Sequence, residues 1–144
     1  MNESLTKVVI DLPPGDLASA ETLWCAEIAP GRYQLLNVPL WAYGLAYEDV
    51  IEAEMAEDQR LHYVRLAQRS GLLTVRVAGP DADPASYERL ISVLQRRASA
   101  TERYDSTYCA FAMSQESLGG CEEEIDAAER EGMIQVEIAN EDEE

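Results

Sequence analysis

Arg32-Tyr33-Gln34-Leu35-Leu36-Asn37-Val38-Pro39-Leu40-Trp41-Ala42-Tyr43-Gly44-Leu45-Ala46-Tyr47-Glu48-Asp49-Val50 decides the fold, because a strand, a proline, a turn glycine, four large rings and an acidic strand entry fall together in it. It reads as a strand ending at Asn37, a crossing held by Pro39, Trp41, Tyr43 and Tyr47, and a new strand launched from Asp49. This is a joint between elements, with none of the spacing of a nucleotide loop, metal cassette or nucleophile elbow.

Upstream, Lys7–Leu12 is an apolar run stopped by Pro13-Pro14-Gly15, and reads as an edge strand. Thr22–Ile28 is a second strand with Trp24, Ala26 and Ile28 on one face, and Pro30-Gly31 turns it into Arg32–Leu36 as a hairpin. Downstream, Val50–Met55 and Leu61–Ala67 form a hairpin around Ala56–Gln59. Pairing Met55 with Arg60 sets Ala53 opposite His62 and Ile51 opposite Val64, which gathers Ile51, Ala53, Met55, Val64 and Leu66 on one face and turns Glu52 and Glu54 away. Strands this short and this curved predict a small barrel-like subdomain over residues 1–70.

Ser70-Gly71 marks a break. Leu73, Val75 and Val77 alternate in a strand, and Asp83 caps a helix with Pro84 in its first turn and Tyr87, Leu90, Ile91 and Leu94 on the buried stripe. Strands follow at Glu102–Asp105 and Tyr108–Met113. A second helix is expected from Ser117, with Leu118, Cys121, Ile125 and Ala128 inward and Gly132 as its stop. Met133–Ile138 is the last strand, and Asn140–Glu144 an acidic tail with nothing to bury. The predicted class is therefore α+β: a small curved antiparallel β-subdomain followed by a ferredoxin-like β-α-β-β-α-β subdomain over residues 71–139.

Composition restricts the function. At 144 residues and 47% hydrophobic content the chain is large enough for a core without staples. Three cysteines (Cys25, Cys109 and Cys121) without close spacing, and an opening Met1–Leu5 lacking the profile of a secretory signal, predict a cytoplasmic protein with reduced thiols. No apolar run reaches the roughly 20 residues of a membrane span. The net charge of −17 disfavours nucleic acid and anionic lipid. Eight of the 11 bases lie between Arg60 and Arg103, whereas 12 acids face one base from Glu116 onward, so the molecule is electrically lopsided.

The run Glu21–Cys25, then Gly31–Leu40 with Leu36-Asn37-Val38-Pro39, then Tyr43–Ala53, resembles the bacterial family of domain of unknown function 4265. Arg69-Ser70-Gly71 and Val75-Arg76-Val77 extend the resemblance, as does the helix-and-strand pattern to about Ile138. The resemblance implies no established activity, and an immunity role only by the association of such small bacterial families with toxin genes.

The residue chemistry points the same way. Glu52 and Glu54 share a strand face, an arrangement that acid–base work would use if enclosed, but no base accompanies them; a solvated face is the simpler reading. His62, the lone histidine, is expected on the apolar side at the barrel rim. Cys25, Cys109, Cys121 and His62 lack the paired spacing of a zinc site, so no metal or cofactor is expected. Gly119-Gly120 serves close helix packing. Trp41 is expected to plug one end of the barrel, while Tyr43 and Tyr47 are either further plugs or binding residues. The expected function is a non-enzymatic acidic binding protein, an immunity-type inhibitor that occludes a basic toxin or nucleic-acid-handling enzyme. Glu122, Glu123, Asp126 and Glu129 would carry the charged contacts, Glu52 and Glu54 a second patch, and Tyr43 and Tyr47 aromatic contacts with the partner. The alternatives are a small-molecule-binding regulatory domain and a carboxylate-based hydrolase.

Overall fold

The computed structural model describes residues 5–13 and 19–140. The expected stop at Pro14-Gly15 and the tail beyond Asn140 lie outside them.

Strands β1 (Leu5–Asp11), β2 (Ala20–Ala29), β3 (Arg32–Leu35), β4 (Val50–Met55) and β5 (Leu61–Gln68) follow one another around a closed barrel. Successive strands pair antiparallel, and a parallel contact between β1 and β5, Val8 with Leu61 and Val9 with His62, shuts the ring. β1 is thus bonded on both sides, which corrects its assignment to an edge. Closure removes the exposed edges that a five-stranded open sheet would carry.

The inward row of β2 is Glu21, Leu23 and Cys25, while Trp24 and Ile28 are 45% and 54% exposed. The face shared by Trp24, Ala26 and Ile28 is thus split, since Ala26 is buried while the two large side chains are exposed. The inward row begins with a carboxylate, which a hydrophobic pattern scores as outward, and a bulge between Glu27 and Ala29 breaks the alternation further along. Trp24 lies opposite Lys7, whose ammonium sits 4.9 Å from the indole centre.

The β4–β5 hairpin forms where expected but in another register. Met55 pairs with Leu61 and Ala53 with Tyr63, and bulges bring Ile51 opposite Leu66. The turn explains the shift: Gln59 donates its amide to Ala56 and adopts φ 65°, so the left-handed residue takes up one position before pairing starts. Met55 and Val64 end up outside, and His62 faces outward beside Glu54 instead of the apolar side.

The second sheet is built from β6 (Leu73–Ala78), β7 (Ala100–Asp105), β8 (Tyr108–Met113) and β9 (Gln135–Ile138) in the order β7-β8-β6-β9, every pair antiparallel. α1 (Pro84–Arg97) starts as the sequence predicts, with Asp83 accepting the Ser86 amide at 3.0 Å, and buries Tyr87, Leu90, Ile91 and Leu94. The second helix is two. α2 (Gln115–Gly119) is capped by Ser114, and α3 (Glu122–Arg130) starts after Cys121. Adjacent glycines make a continuous helix costly there, and Gly120 has a second role, since a Cβ would lie 2.6 Å from the Arg97 guanidinium. Gly132, at φ 88°, lies just past the end of α3 as expected.

The helices cover one sheet face, where Val75, Val77, Cys109, Phe111 and Met113 meet Leu90, Leu94, Cys121 and Ile125. The opposite face carries Thr74, Arg76, Ala110 and Ala112, all buried. Val38, Leu40 and Tyr47, from the long segment between β3 and β4, pack on its alanines. That segment is the layer between barrel and sheet. Asp49 holds its far end by accepting the amides of Ala46 (2.9 Å) and Ser70 (2.8 Å), and Thr74 donates its hydroxyl to the Leu45 carbonyl at 2.7 Å. Asn140, expected in a solvated tail, is buried instead: its side chain accepts from Thr74 and donates to Leu72. Among the described residues no helix is long and apolar enough to cross a membrane.

Candidate functional site

Two buried charges grip the connecting segment from opposite sides. Glu21 on β2 accepts the backbone amides of Leu40 (2.7 Å), Trp41 (3.0 Å) and Ala42 (2.8 Å). Arg76 on β6 donates to the carbonyls of Pro39 (3.3 Å), Trp41 (3.4 Å) and Ala42. One side chain takes the donors of a non-repetitive turn and the other its acceptors, so a buried loop is left with few orphaned groups. The Arg76 guanidinium also lies 5.0 Å from the centre of the Tyr43 ring and 3.9 Å from a Glu137 oxygen.

This clamp sets the aromatic residues. Trp41 stacks on Tyr108 at 4.9 Å and meets Tyr104 edge-on at 5.2 Å, so it caps the second sheet and is no plug of the barrel. Tyr43 is exposed and donates its hydroxyl to Glu137. Tyr47 is partly buried against the alanines of the second sheet. The structure thus brings Tyr43 to the surface and draws Tyr47 inward. Neither Glu21 nor Arg76 was marked by sequence reasoning. A carboxylate in phase with Leu23 and Cys25, and an arginine on a strand face shared with Thr74 and Ala78, were the signals available.

The acidic residues behave differently from one another. Glu52 lies between Arg32 (3.5 Å) and Arg65 (2.6 Å), so its charge is matched, while Glu54 stands exposed across from His62. On α3, Glu122, Glu123 and Asp126 are exposed and form no ion pair with any described residue. Glu129 is diverted: it accepts the amide of Val136 on the outermost strand of the sheet. That contact blunts a strand edge that would otherwise offer a free donor.

His62 holds the barrel seam. Its Nε2 lies 2.9 Å from Asp58 and its Nδ1 3.5 Å from Asp11. The hydrogen bond to Asp58 is the main reason the imidazole is raised above its ordinary value, and the same bond lowers Asp58. A raised histidine stabilises the fold fully below its unfolded value and loses that contribution as pH rises through the folded one; a lowered aspartate loses its share only on acidification. Stability should fall as pH rises from the ordinary histidine value of about 6.5 through the raised folded one, and the fall should vanish in His62→Gln, read by thermal melts at fixed ionic strength. An unaltered slope in the variant would remove His62 from the seam.

The thiols are free and buried; burial pushes Cys25 up to about 12 and Cys109 up to about 11, far from a reactive thiolate at neutral pH. Among the described residues no group of three or more histidine, cysteine, aspartate or glutamate side chains is placed to hold a metal ion.

A family model described as Domain of unknown function (DUF4265) matches residues 21–139. The chain belongs to this family. The DUF4265 match runs from the clamp residue Glu21 to Ala139 and so takes in Arg76 and all of α3. In three dimensions this DUF4265 chain is similar to a hypothetical protein from Neisseria gonorrhoeae, with a TM-score of 0.78 at 19% identity over 96% of each chain. At that identity the likeness concerns the fold. Among curated proteins none matches the sequence.

Proposed function

We propose that the protein is a non-enzymatic acidic binding protein, an immunity-type inhibitor that covers the cationic site of a basic protein partner such as a toxin or a nucleic-acid-handling enzyme. One observation carries the reading: Glu122, Glu123 and Asp126 stand exposed, with no ion pair to any described residue, on a helix whose other side is fixed in the core by Ile125 and Ala128. Unmatched carboxylates on a fixed scaffold raise encounter rates with a cationic surface and lose nothing to prior ion pairs. Glu52 and Glu129, already engaged, contribute less. We read the four-stranded sheet with its helical layer as ferredoxin-like, the barrel as a subdomain over residues 1–70, and the three unpaired thiols as fitting a reducing cytoplasm.

The test is capture from the native host with wild-type protein and with the Glu122→Lys, Glu123→Lys, Asp126→Lys variant. The recovered partner should be basic, and the triple variant should bind it at least about tenfold more weakly at low salt, with the gap closing as salt rises. Equal affinity at low salt would end the proposal.

A further inference from the structure

We infer that the groove between α1 and α3 is the anchor pocket of this acidic surface and receives one apolar side chain from a basic segment of the protein partner. The inference rests on the reading above and adds to it a specific seat.

The groove is floored by Leu90 and Val93 of α1, Ala127 and Ala128 of α3, and Ile134, and encloses about 180 Å³. Small-molecule sites typically occupy about 300–1,000 Å³, so this one suits a single aliphatic or aromatic side chain better than a free ligand. The two alanines create it. A larger residue at Ala127 would reach across toward Val93 and fill the space.

Charge selects the occupant. Glu124 on α3 and Glu131, the residue that caps its C-terminus, line the same groove two turns and about 10 Å apart. Neither forms an ion pair with a described residue, and Arg89 on the opposite rim bonds to neither. The pattern, apolar floor with a carboxylate at each end, is complementary to an apolar residue flanked by lysines or arginines. An acidic or neutral segment would meet unmatched charge. In such an arrangement the seated side chain sets the off-rate, and the surrounding charges set the on-rate.

The probe is a synthetic amphipathic helical peptide of leucine and lysine, titrated into the isotopically labelled full chain, beside a peptide of equal charge with serine in place of leucine. Amide shifts should centre on Leu90, Val93, Ala127 and Ile134, and the serine peptide should bind about tenfold more weakly or worse. Ala127→Phe, at an exposed position whose effect on the fold is checked by the same spectra, should weaken the leucine peptide by a similar factor and leave the serine peptide unchanged. Shifts elsewhere, no shifts, or an Ala127→Phe variant that binds like wild type would overturn the anchor pocket. If Glu122→Lys, Glu123→Lys, Asp126→Lys still weakens both peptides in that case, the acidic-surface reading stands alone. If it weakens neither, both fall.

Discussion

Arg76→Met should destabilise the protein by about 3–5 kcal/mol, because three backbone acceptors lose their donor together at about 1–3 kcal/mol for each one left unsatisfied. Methionine keeps much of the apolar stem but leaves the carbonyls of Pro39, Trp41 and Ala42 without their donor, two of them on buried residues and one on a partly buried residue. One consideration opposes this. Burying a guanidinium is itself costly, and the Arg76 Nε has no hydrogen-bond partner among the described residues. Replacing a buried charge together with its partners by apolar groups is often neutral. Here, however, the partners are backbone carbonyls that no substitution removes. Urea denaturation followed by far-ultraviolet circular dichroism should show a lower midpoint with little change in slope. A loss below about 1 kcal/mol would mean that water satisfies the carbonyls and that the clamp is incidental.

Glu21→Ala should cost about 3 kcal/mol or more, because three amides lose their acceptor together. Glu21→Gln retains one acceptor oxygen and should recover part of that loss. The decisive measurement is the pair. Glu21 and Arg76 hold one short segment, Pro39 to Ala42, and share Trp41 and Ala42, so once one hand releases the loop the other has little left to grip. The double variant should fall short of the sum of the singles by about 1–3 kcal/mol, whereas independent sites add within about 0.5 kcal/mol. Additivity would show that the two charges act on separate features.

These residues also mark where the sequence is readable and where it is not. The strand before Asn37, the crossing and the strand after Asp49 were visible because proline and glycine leave local signs; Gly44 takes φ 83° at the turn. α1 was equally visible, since its cap, its proline and its apolar stripe agree. What failed was phase. Bulges in β2 and β5 leave no local trace, and a one-residue slip in the second hairpin moved His62 and Val64 to the outer face. Glu21 and Arg76 escaped because a charge at an inward position makes sense only with its partners, which lie some distance along the chain. The site divides in the same way. Exposure of the α3 carboxylates follows from helical periodicity, but the pairing of Glu52 with Arg32 and Arg65 required knowing which strands flank β4.

The parallel seam between β1 and β5 has a consequence for the order of events in folding. Its two residue pairs join the start of the chain to a strand more than fifty positions later, with every other barrel strand in between. A chain leaving the ribosome can make each hairpin of the barrel locally, but the ring stays open until Leu61 and His62 have emerged. The first strand then waits with one row of backbone groups unsatisfied, and the brevity of the seam leaves little to tempt a neighbouring nascent chain into its place.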